Sequence, residues 1–524
     1  MYVNILNQPV PQTKRLNDRQ VRNSAGGFSY NVSIWEQLDR FLLIGTVGGT
    51  YYLSELTLTK QNFGEIEKCI QADGVRVVSR VCEISKSGRA VKNDPAIFVL
   101  ALVFKLGDEA ARRAASDAIV TVCRTGTHLL SFAAEVEGLG RGWGRTLKRG
   151  VGNWFTSKSD ERLAYLAIKY AQRNGWSLRD LLRLSKPKMG LNPVAMYITR
   201  GAGGHPFIDA ALSLKLGNAT QAAEKIREFK LPREAVPSDL LNVPVIWEAL
   251  LQDMPMTAMI RNLGKMTSIG LIAPLSRAED QVVARLWDRD AIRAARVHPL
   301  SLLVALDVYQ SGHGVKGALS WTPSTRVVSA LNDAVGLAME SAPSTGLRTL
   351  VAVDVSGSMQ MPVPGHRSLM LHQISACMAL CATRSERVAQ VIAFDTKTYV
   401  MDVKGRRLDD AAKAFSRYGG GTDIAQPMLW ALAHKLDVDL VQIYTDSETW
   451  AGRTHPDKAL EEYRQKRNSK VKVAVVSMTA NRYSVHESQS PNVLQCVGFD
   501  ASLPQVLSAF AGGKASSGET EDEG

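Results

Sequence analysis

Residues Val351–Met359 constrain this chain more than any other stretch. They read Val-Ala-Val-Asp-Val-Ser-Gly-Ser-Met. Leu347–Val353 is apolar and β-branched apart from Arg348 and Thr349. That pattern predicts a central strand of a parallel sheet covered by helices on both faces. At its end Asp354, Ser356 and Ser358 stand at alternating positions. A tight turn through Gly357 can point one carboxylate and two hydroxyls at a common centre. Hard oxygen donors with little negative charge suit octahedral Mg²⁺ or Mn²⁺ with waters retained. A plainer reading stands beside this one, in which Asp354 and the serines only cap the next helix.

Two segments downstream extend the pattern. Gly419-Gly420-Gly421-Thr422-Asp423 is a flexible loop before an amphipathic helix, and it offers the Thr422 hydroxyl. Leu440–Tyr444 is a second apolar strand, ending in Thr445-Asp446-Ser447-Glu448. Carboxyl ends of strands are where open α/β sheets bind ligands. The order Asp-x-Ser-x-Ser, then Thr, then Asp resembles the metal-ion-dependent adhesion site of von Willebrand factor A domains. That resemblance implies Asp354, Ser356, Ser358, Thr422 and Asp446 as the metal ligands. Asp423 is either a support for them or a cap of the following helix.

Around this centre the chain divides by pattern. Residues 1–30 are polar and read as an arm. From about Trp35 to Val308 amphipathic helical segments follow one another, with breaks at Gly, Pro or Asn. Examples are Phe63–Ala72, Val75–Ser85, Asp94–Leu106, Arg162–Asn174 and Ala219–Phe229. Stacked helices of this kind suggest a HEAT-like helical-repeat array. Near Ala342–Thr345 the pattern changes to strand–helix alternation. Helix Leu371–Thr383, strand Val388–Phe394, helix Ala425–Leu436, strand Val471–Val476 and helix Leu503–Phe510 predict a doubly wound α/β domain. The expected boundaries are therefore 1–30 for the arm, 31–343 for the helical part and 344–511 for the α/β domain. Residues 512–524, Gly/Ser-rich and acidic, are expected to be disordered.

The net charge of +12 favours an anionic partner, although solubility alone is an alternative. Most of the excess lies in Arg141–Lys188, which has 12 Lys and Arg against 3 Asp and Glu, interleaved with Trp143, Trp154, Phe155, Tyr170 and Trp176. On a continuous helix from Arg162, the residues Arg162, Lys169 and Arg173 fall within about 40° of one another. Such a helix can present cations to phosphates, unless the charges only solvate a face. The six cysteines are scattered in apolar contexts and read as reduced core residues. No secretory signal and no apolar run of membrane-spanning length is visible, which gives a cytoplasmic expectation with no membrane partner. Neither a two-metal acidic cluster nor a Ser/His/Asp spacing points to catalysis.

Several separated motifs resemble one known family. Asn23-Ser24-Ala25-Gly26-Gly27-Phe28, Leu38-Asp39-Arg40-Phe41-Leu42 and Gly48-Gly49-Thr50-Tyr51-Tyr52 are similar to the opening of the TROVE module of Ro ribonucleoprotein autoantigens. Gly142-Trp143-Gly144-Arg145, Gln172-Arg173-Asn174-Gly175-Trp176-Ser177, His298-Pro299 and Gly312-His313-Gly314 fit it too. The chain resembles a bacterial or phage-borne member. The resemblance implies a closed TROVE ring of helical repeats joined by the A-type domain. It implies a non-catalytic monomer that binds Y-like noncoding RNA on a basic outer face. Single-stranded 3′ ends of structured or misfolded RNA would enter a central hole, in RNA quality control with an exoribonuclease partner. Lys169 and Arg173 match family residues at the Y RNA surface, and Arg145, Arg162 and Lys186 join them as candidates. Leu178 and Lys186 stand where the family usually has histidines. Lys186 keeps a permanent cation, whereas Leu178 makes no polar contact. The competing function is a metal-dependent protein-adhesion module on a helical scaffold.

Overall fold

The computed structural model describes the chain except residues 1–8, 46–54, 88–89, 91, 171, 296, 298, 315–317, 340–343, 363–369, 387, 417–418, 488–491, 498–505, 508–509 and 512–524. The expected boundary near 342, most of the helix over Leu503–Phe510, the Gly48–Tyr52 motif, His298 and the acidic tail lie outside the described residues. By its internal contacts the chain forms two compact units. One comprises residues up to Phe63, His298–Val304 and Val335 onward; the other comprises Gly64–Val297 and Ala305–Ala334.

The first unit begins with two short strands, Gln20–Arg22 (β1) and Phe28–Asn31 (β2), followed by helix Ile34–Ile44. Ser33 opens that helix with a capping box closed by Glu36.

The second unit is helical. Helices run over Asp94–Leu106, Glu109–Val122, Gly126–Gly138, Arg145–Thr156, Asp160–Lys169 and on to Thr325–Met339. Local chemistry sets their ends. Asp108, Thr125, Ser159, Asn192, Asn218 and Ser276 accept main-chain N–H bonds as N-caps, and Pro193, Pro206 and Pro244 open helices where no N–H is needed. Glu109–Val122 packs on Arg145–Thr156, and Asp94–Leu106 on Gly126–Gly138. The long helix Glu55–Ser87 is broken at Asp73, whose φ and ψ are −162° and 88°. That break separates the two segments expected over Phe63–Ala72 and Val75–Ser85.

One expectation here is corrected. The helix from Arg162 does not reach Asn174. It ends at Lys169, and Tyr170 leaves helical geometry with φ −134°. Gln172–Arg173 (β3) and Trp176–Ser177 (β4) then form a two-residue hairpin. Asn174 and Gly175 have φ of 50° and 80°. A type I′ turn needs positive φ at both central residues, and Asn-Gly is its preferred pair. Arg173 is thus on a hairpin, off the helix of Lys169.

The rest of the first unit is the α/β domain. Its strands are Arg348–Asp354 (β5), Val388–Phe394 (β6), Thr398–Val400 (β7), Leu440–Thr445 (β8), Lys472–Ser477 (β9), Tyr483–Ser484 (β10) and Val493–Val497 (β11). Six of them form one sheet in the order β11-β9-β8-β5-β6-β7, parallel except for β7 at the edge. Leu350, Ala352, Ile392, Phe394, Val441, Ile443, Val473 and Val475 build its buried core. The chain passes from β5 to β6 on one side and returns to β8 on the other, so the switch point of the sheet lies between β5 and β8. The register Val353↔Tyr444 sets Asp354 and Asp446 at the carboxyl ends of adjacent strands.

The segment expected as a polar arm is built into this unit. β1 and β2 pair antiparallel, and β2 pairs with β10, giving a three-stranded sheet. Its polar residues Gln12, Gln20, Asn23 and Ser29 are buried. Gln12, Gln20 and Asn23 meet partners from residues 423–455, which is how polar side chains are buried at low cost.

Candidate metal centre and basic surface

All five residues expected as metal ligands come to the switch point, and all are buried: Asp354, Ser356 and Thr422 are 0% exposed, Ser358 and Asp446 2%. Asp354 Oδ1 accepts the Ser356 N–H at 2.9 Å, which turns the chain out of β5. Its Oδ2 accepts the Thr445 hydroxyl at 2.6 Å. The Ser356 and Ser358 hydroxyls lie 3.1 Å apart. The Ser358 side chain is hydrogen-bonded to Asp446. Gly357 N donates to Gly420 O at 3.1 Å, joining the first loop to the Gly-rich loop that carries Thr422. Below, the buried His372 ring faces the Met359 carbonyl through Nδ1 at 3.2 Å and supports the turn Gly357–Gln360.

Burial dominates the electrostatics of this set. Burial holds the Asp354 carboxyl well above the usual carboxylate range, and the neighbouring Asp446 adds to the shift. Burial raises Asp446 as well. Glu448 is pushed up to about 8, first by burial and then by Asp446. What offsets these shifts is hydroxyl and amide donors, which are neutral. The Thr422 hydroxyl is buried and has no hydrogen-bond partner among the described residues. The set thus joins two buried carboxylates to a buried hydroxyl that has no partner among the described residues. Two carboxylates and three hydroxyls are hard oxygen donors of the kind Mg²⁺ and Mn²⁺ take, so the residues fit a divalent cation. Asp423, next to Thr422, braces the turn into helix Gln426–Ala433: it accepts from Ala425 N at 3.1 Å and from Gln426 Nε2 at 2.8 Å.

Residues that sequence reasoning missed surround the centre. Glu448 Oε2 accepts from Ser24 N at 3.0 Å and Ala25 N at 3.3 Å, and Asn23 Nδ2 donates to the Thr449 carbonyl at 2.7 Å. A Cβ on Gly27 would overlap the Thr449 carbonyl, so only glycine permits that approach. The Asn23–Phe28 motif is therefore a clip on the loop that carries Asp446. Its one local signal was the paired glycines; the partner loop lies more than 400 residues away.

The basic candidates lie in the helical unit. Arg145 is the first residue of helix Arg145–Thr156 and is exposed. Arg162 is exposed and Lys169 half-buried, and both sit over the Tyr165 ring, at 5.4 Å and 5.2 Å from its centroid. Lys169 Nζ also donates to the Tyr165 hydroxyl at 3.0 Å. Tyr165, which the sequence did not single out, gathers these two cations; its spacing three and four residues from them was the available signal. Arg173 is exposed on the hairpin, which packs on helix Gly126–Gly138 through Asn174 to Ser131 at 3.3 Å and Trp176 to Glu137 at 2.9 Å. Lys186 is the exposed C-cap of helix Leu178–Ser185, in left-handed geometry. Leu178 is 2% exposed, so an apolar residue there completes the core beneath that helix.

Two family models match the chain. A family model of the TROVE domain matches residues 21–203 and 225–311, and one of the Ro60 vWA domain matches residues 348–511. The chain is 41% identical over 529 residues to the RNA-binding protein RO60 of Deinococcus radiodurans, covering 98% of each. It is 32% identical over 594 residues to the RNA-binding protein RO60 of Caenorhabditis elegans, covering 96% of this chain and 92% of the relative. Among solved structures, the crystal structure of the Deinococcus radiodurans RO (RSR) protein matches with a TM-score of 0.70 and 38% identity, over 92% of this chain and all of that one.

Proposed function

The chain belongs to the Ro60 family, a TROVE region followed by a vWA domain, and from that membership we propose that it is an RNA-binding protein without catalytic activity of its own. The observation that carries this reading is the stretch Arg141–Lys188, where Arg145, Arg162, Arg173 and Lys186 are exposed; the elements of Arg162, Arg173 and Lys186 all pack on helix Gly126–Gly138, and that of Arg145 packs on helix Leu178–Ser185. Exposed cations gathered in this way, Arg162 among them over the Tyr165 ring, suit phosphate contacts on structured RNA. Y-like noncoding RNA is the ligand proposed for this surface. Structured or misfolded RNAs with single-stranded 3′ ends are a second proposed class, in RNA quality control with an exoribonuclease as partner. Among the described residues no helix is long and apolar enough to cross a membrane.

The test is the salt dependence of binding to a duplex-containing RNA. Arg162→Ala with Arg173→Ala removes two exposed cations and no core contact. If both meet phosphates, the slope of log K against log salt becomes shallower by about 2. An unchanged slope returns this stretch to a solvated charged face.

The second half of the proposal concerns the α/β domain. Asp354, Ser356, Ser358, Thr422 and Asp446 would hold Mg²⁺ or Mn²⁺. The ion would supply an open coordination position for an acidic group of a partner. The chain's own residues set up that position: the sheet register places the carboxylates, the Gly-rich loop presents Thr422, and burial keeps bulk water from the donors. Asp354→Ala should abolish Mg²⁺ binding in titration calorimetry while RNA affinity stays at the wild-type level. Joint loss of both, with the fold intact, would show that the two activities are not separable.

A further inference from the structure

Two loops at the carboxyl edge of the main sheet carry Thr422 and Asp446, and one residue from far upstream lies between them. Gln12 is fully buried, 411 residues before Asp423. Its Nε2 donates to Asp423 Oδ1 at 2.7 Å and to the Thr454 carbonyl at 2.8 Å. Its Oε1 accepts the Thr449 hydroxyl. The Thr449 hydroxyl in turn accepts the Ile424 N–H at 3.1 Å. The main chain of Gln12 is fixed as well, its N–H to Gly452 O at 2.9 Å and its carbonyl to Phe28 N at 2.8 Å. Gly452 makes room for the arrangement, since a Cβ there would overlap both Gln12 Nε2 and Asp423 Oδ1.

A single primary amide thus ties the neighbour of Thr422 to the segment that follows Asp446. The chemistry demands an amide. It must donate twice and accept once, which neither a carboxylate nor a hydrocarbon can do. Among the described residues the Thr422 hydroxyl has no partner, so its position is set by its loop, and the Asp423–Gln12 bond is an anchor of that loop.

We propose that Gln12 is a positioning residue for the divalent-cation site, fixing the spacing of the Thr422 and Asp446 loops so that their donors converge with those of Asp354, Ser356 and Ser358. The inference rests on the metal reading given above. Removing one such support behind metal ligands typically weakens metal binding about 10–100-fold.

The experiment measures Mn²⁺ binding to the full chain by electron paramagnetic resonance, alongside the metal-free thermal midpoint. Wild type should bind Mn²⁺, and Asp354→Ala should not. Gln12→Ala, and Gly452→Ala as an independent wedge at the same contact, should each bind about 10–100-fold more weakly, with an altered line shape of the bound ion. Tyr30→Phe breaks a 2.6 Å bond from the same N-terminal segment to Asp457, apart from the metal donors. It should lower the metal-free midpoint and leave Mn²⁺ affinity alone. If Gln12→Ala and Gly452→Ala bind as wild type does while Asp354→Ala does not, positioning is overturned and the metal reading stands. If Tyr30→Phe weakens binding as much as they do, the effect is general stability and positioning is again overturned. If wild type itself takes up no Mn²⁺, the metal reading falls and this inference with it.

Discussion

His128 shows how one side chain makes the helical unit sensitive to pH. It sits in the first turn of helix Gly126–Gly138, where its N–H meets the Thr125 cap. Burial, then the nearby Arg124, lower its pKa from 6.5 to about 4, and Arg173 adds to the effect. The neutral ring is what the fold accepts, and its Nδ1 faces Asn93 Nδ2 at 3.4 Å. Between pH 6.5 and 4 the unfolded chain therefore binds the proton and the folded chain does not. Stability rises with pH across that window and is lost as pH falls through it. At pH 5 the loss from this residue should be about 2 kcal/mol relative to pH 7. Urea midpoints of wild type and His128→Gln at the two pH values check this; the variant should show the shallower dependence. Lys169 gives the opposite lesson. Its half-buried amine is kept charged by the Tyr165 hydroxyl and the rings of Tyr165 and Tyr170, against the pull of burial. A substitution there removes packing along with charge, which is why the salt test above uses Arg162 and Arg173.

At the scale of elements, the hairpin β3–β4 is where local chemistry overrode periodicity. The 3.6-residue pattern after Arg162 extends past Lys169 on paper, but Asn174-Gly175 imposes a turn that no helix admits. The consequence is functional, because it moves Arg173 from the helix of Lys169 to a separate ledge held on helix Gly126–Gly138. A Cβ added at Gly175 would meet open space, so any cost of substitution there is conformational. Gly175→Val should cost about 1–3 kcal/mol, the strain of a β-branched residue at φ 80°. Asn174→Gly tolerates the same geometry and gives up only the exposed bond to Ser131, so it should cost less than Gly175→Val. Equilibrium urea unfolding separates the two. The sheet behaves differently: the apolar runs of β5, β6, β8 and β9 were legible to within a residue or two, because strands buried on both faces admit little but Val, Ile, Leu and Ala.

At the scale of the whole molecule, the N-terminal segment belongs energetically to the α/β unit. Arg40 is 1% exposed, and its guanidinium donates to the Asn481 carbonyl at 2.7 Å and the Tyr483 carbonyl at 2.8 Å. Burial lowers its pKa to about 10, and those acceptors compensate a charge that would otherwise be costly to hold there. Gln37 reaches the Ala480 carbonyl at 2.9 Å in the same way. A chain lacking everything before Ile34 would leave β10 without its partner strand and Glu448 without the Ser24 and Ala25 donors. Limited proteolysis mapped by mass spectrometry should then find new cleavage in 446–455 and 480–487, while the fragments from the helical unit stay unchanged.

The sequence by itself determined most of the helices, the central strands of the main sheet and the order of the Asp, Ser and Thr residues at their ends. Periodicity, Pro and Gly breaks, and Asp-x-Ser-x-Ser at a strand end are all local patterns, and local patterns act through sterics and hydrogen bonds within a few residues. The same logic would have found the Asn-Gly hairpin, had the turn been weighed above the period. Tertiary structure alone decided the rest. The polar segment around Gln12 and Asn23 carries no apolar stripe, so nothing in it announces burial. Its side chains are buried because partners more than 400 residues away satisfy them. A hydrogen bond between such distant residues leaves no trace in either neighbourhood until the fold brings them together. That is why the Asp-x-Ser-x-Ser pattern at the end of β5 could be read from the chain, and the contacts of Gln12 and Asn23 with residues 423–454 could not.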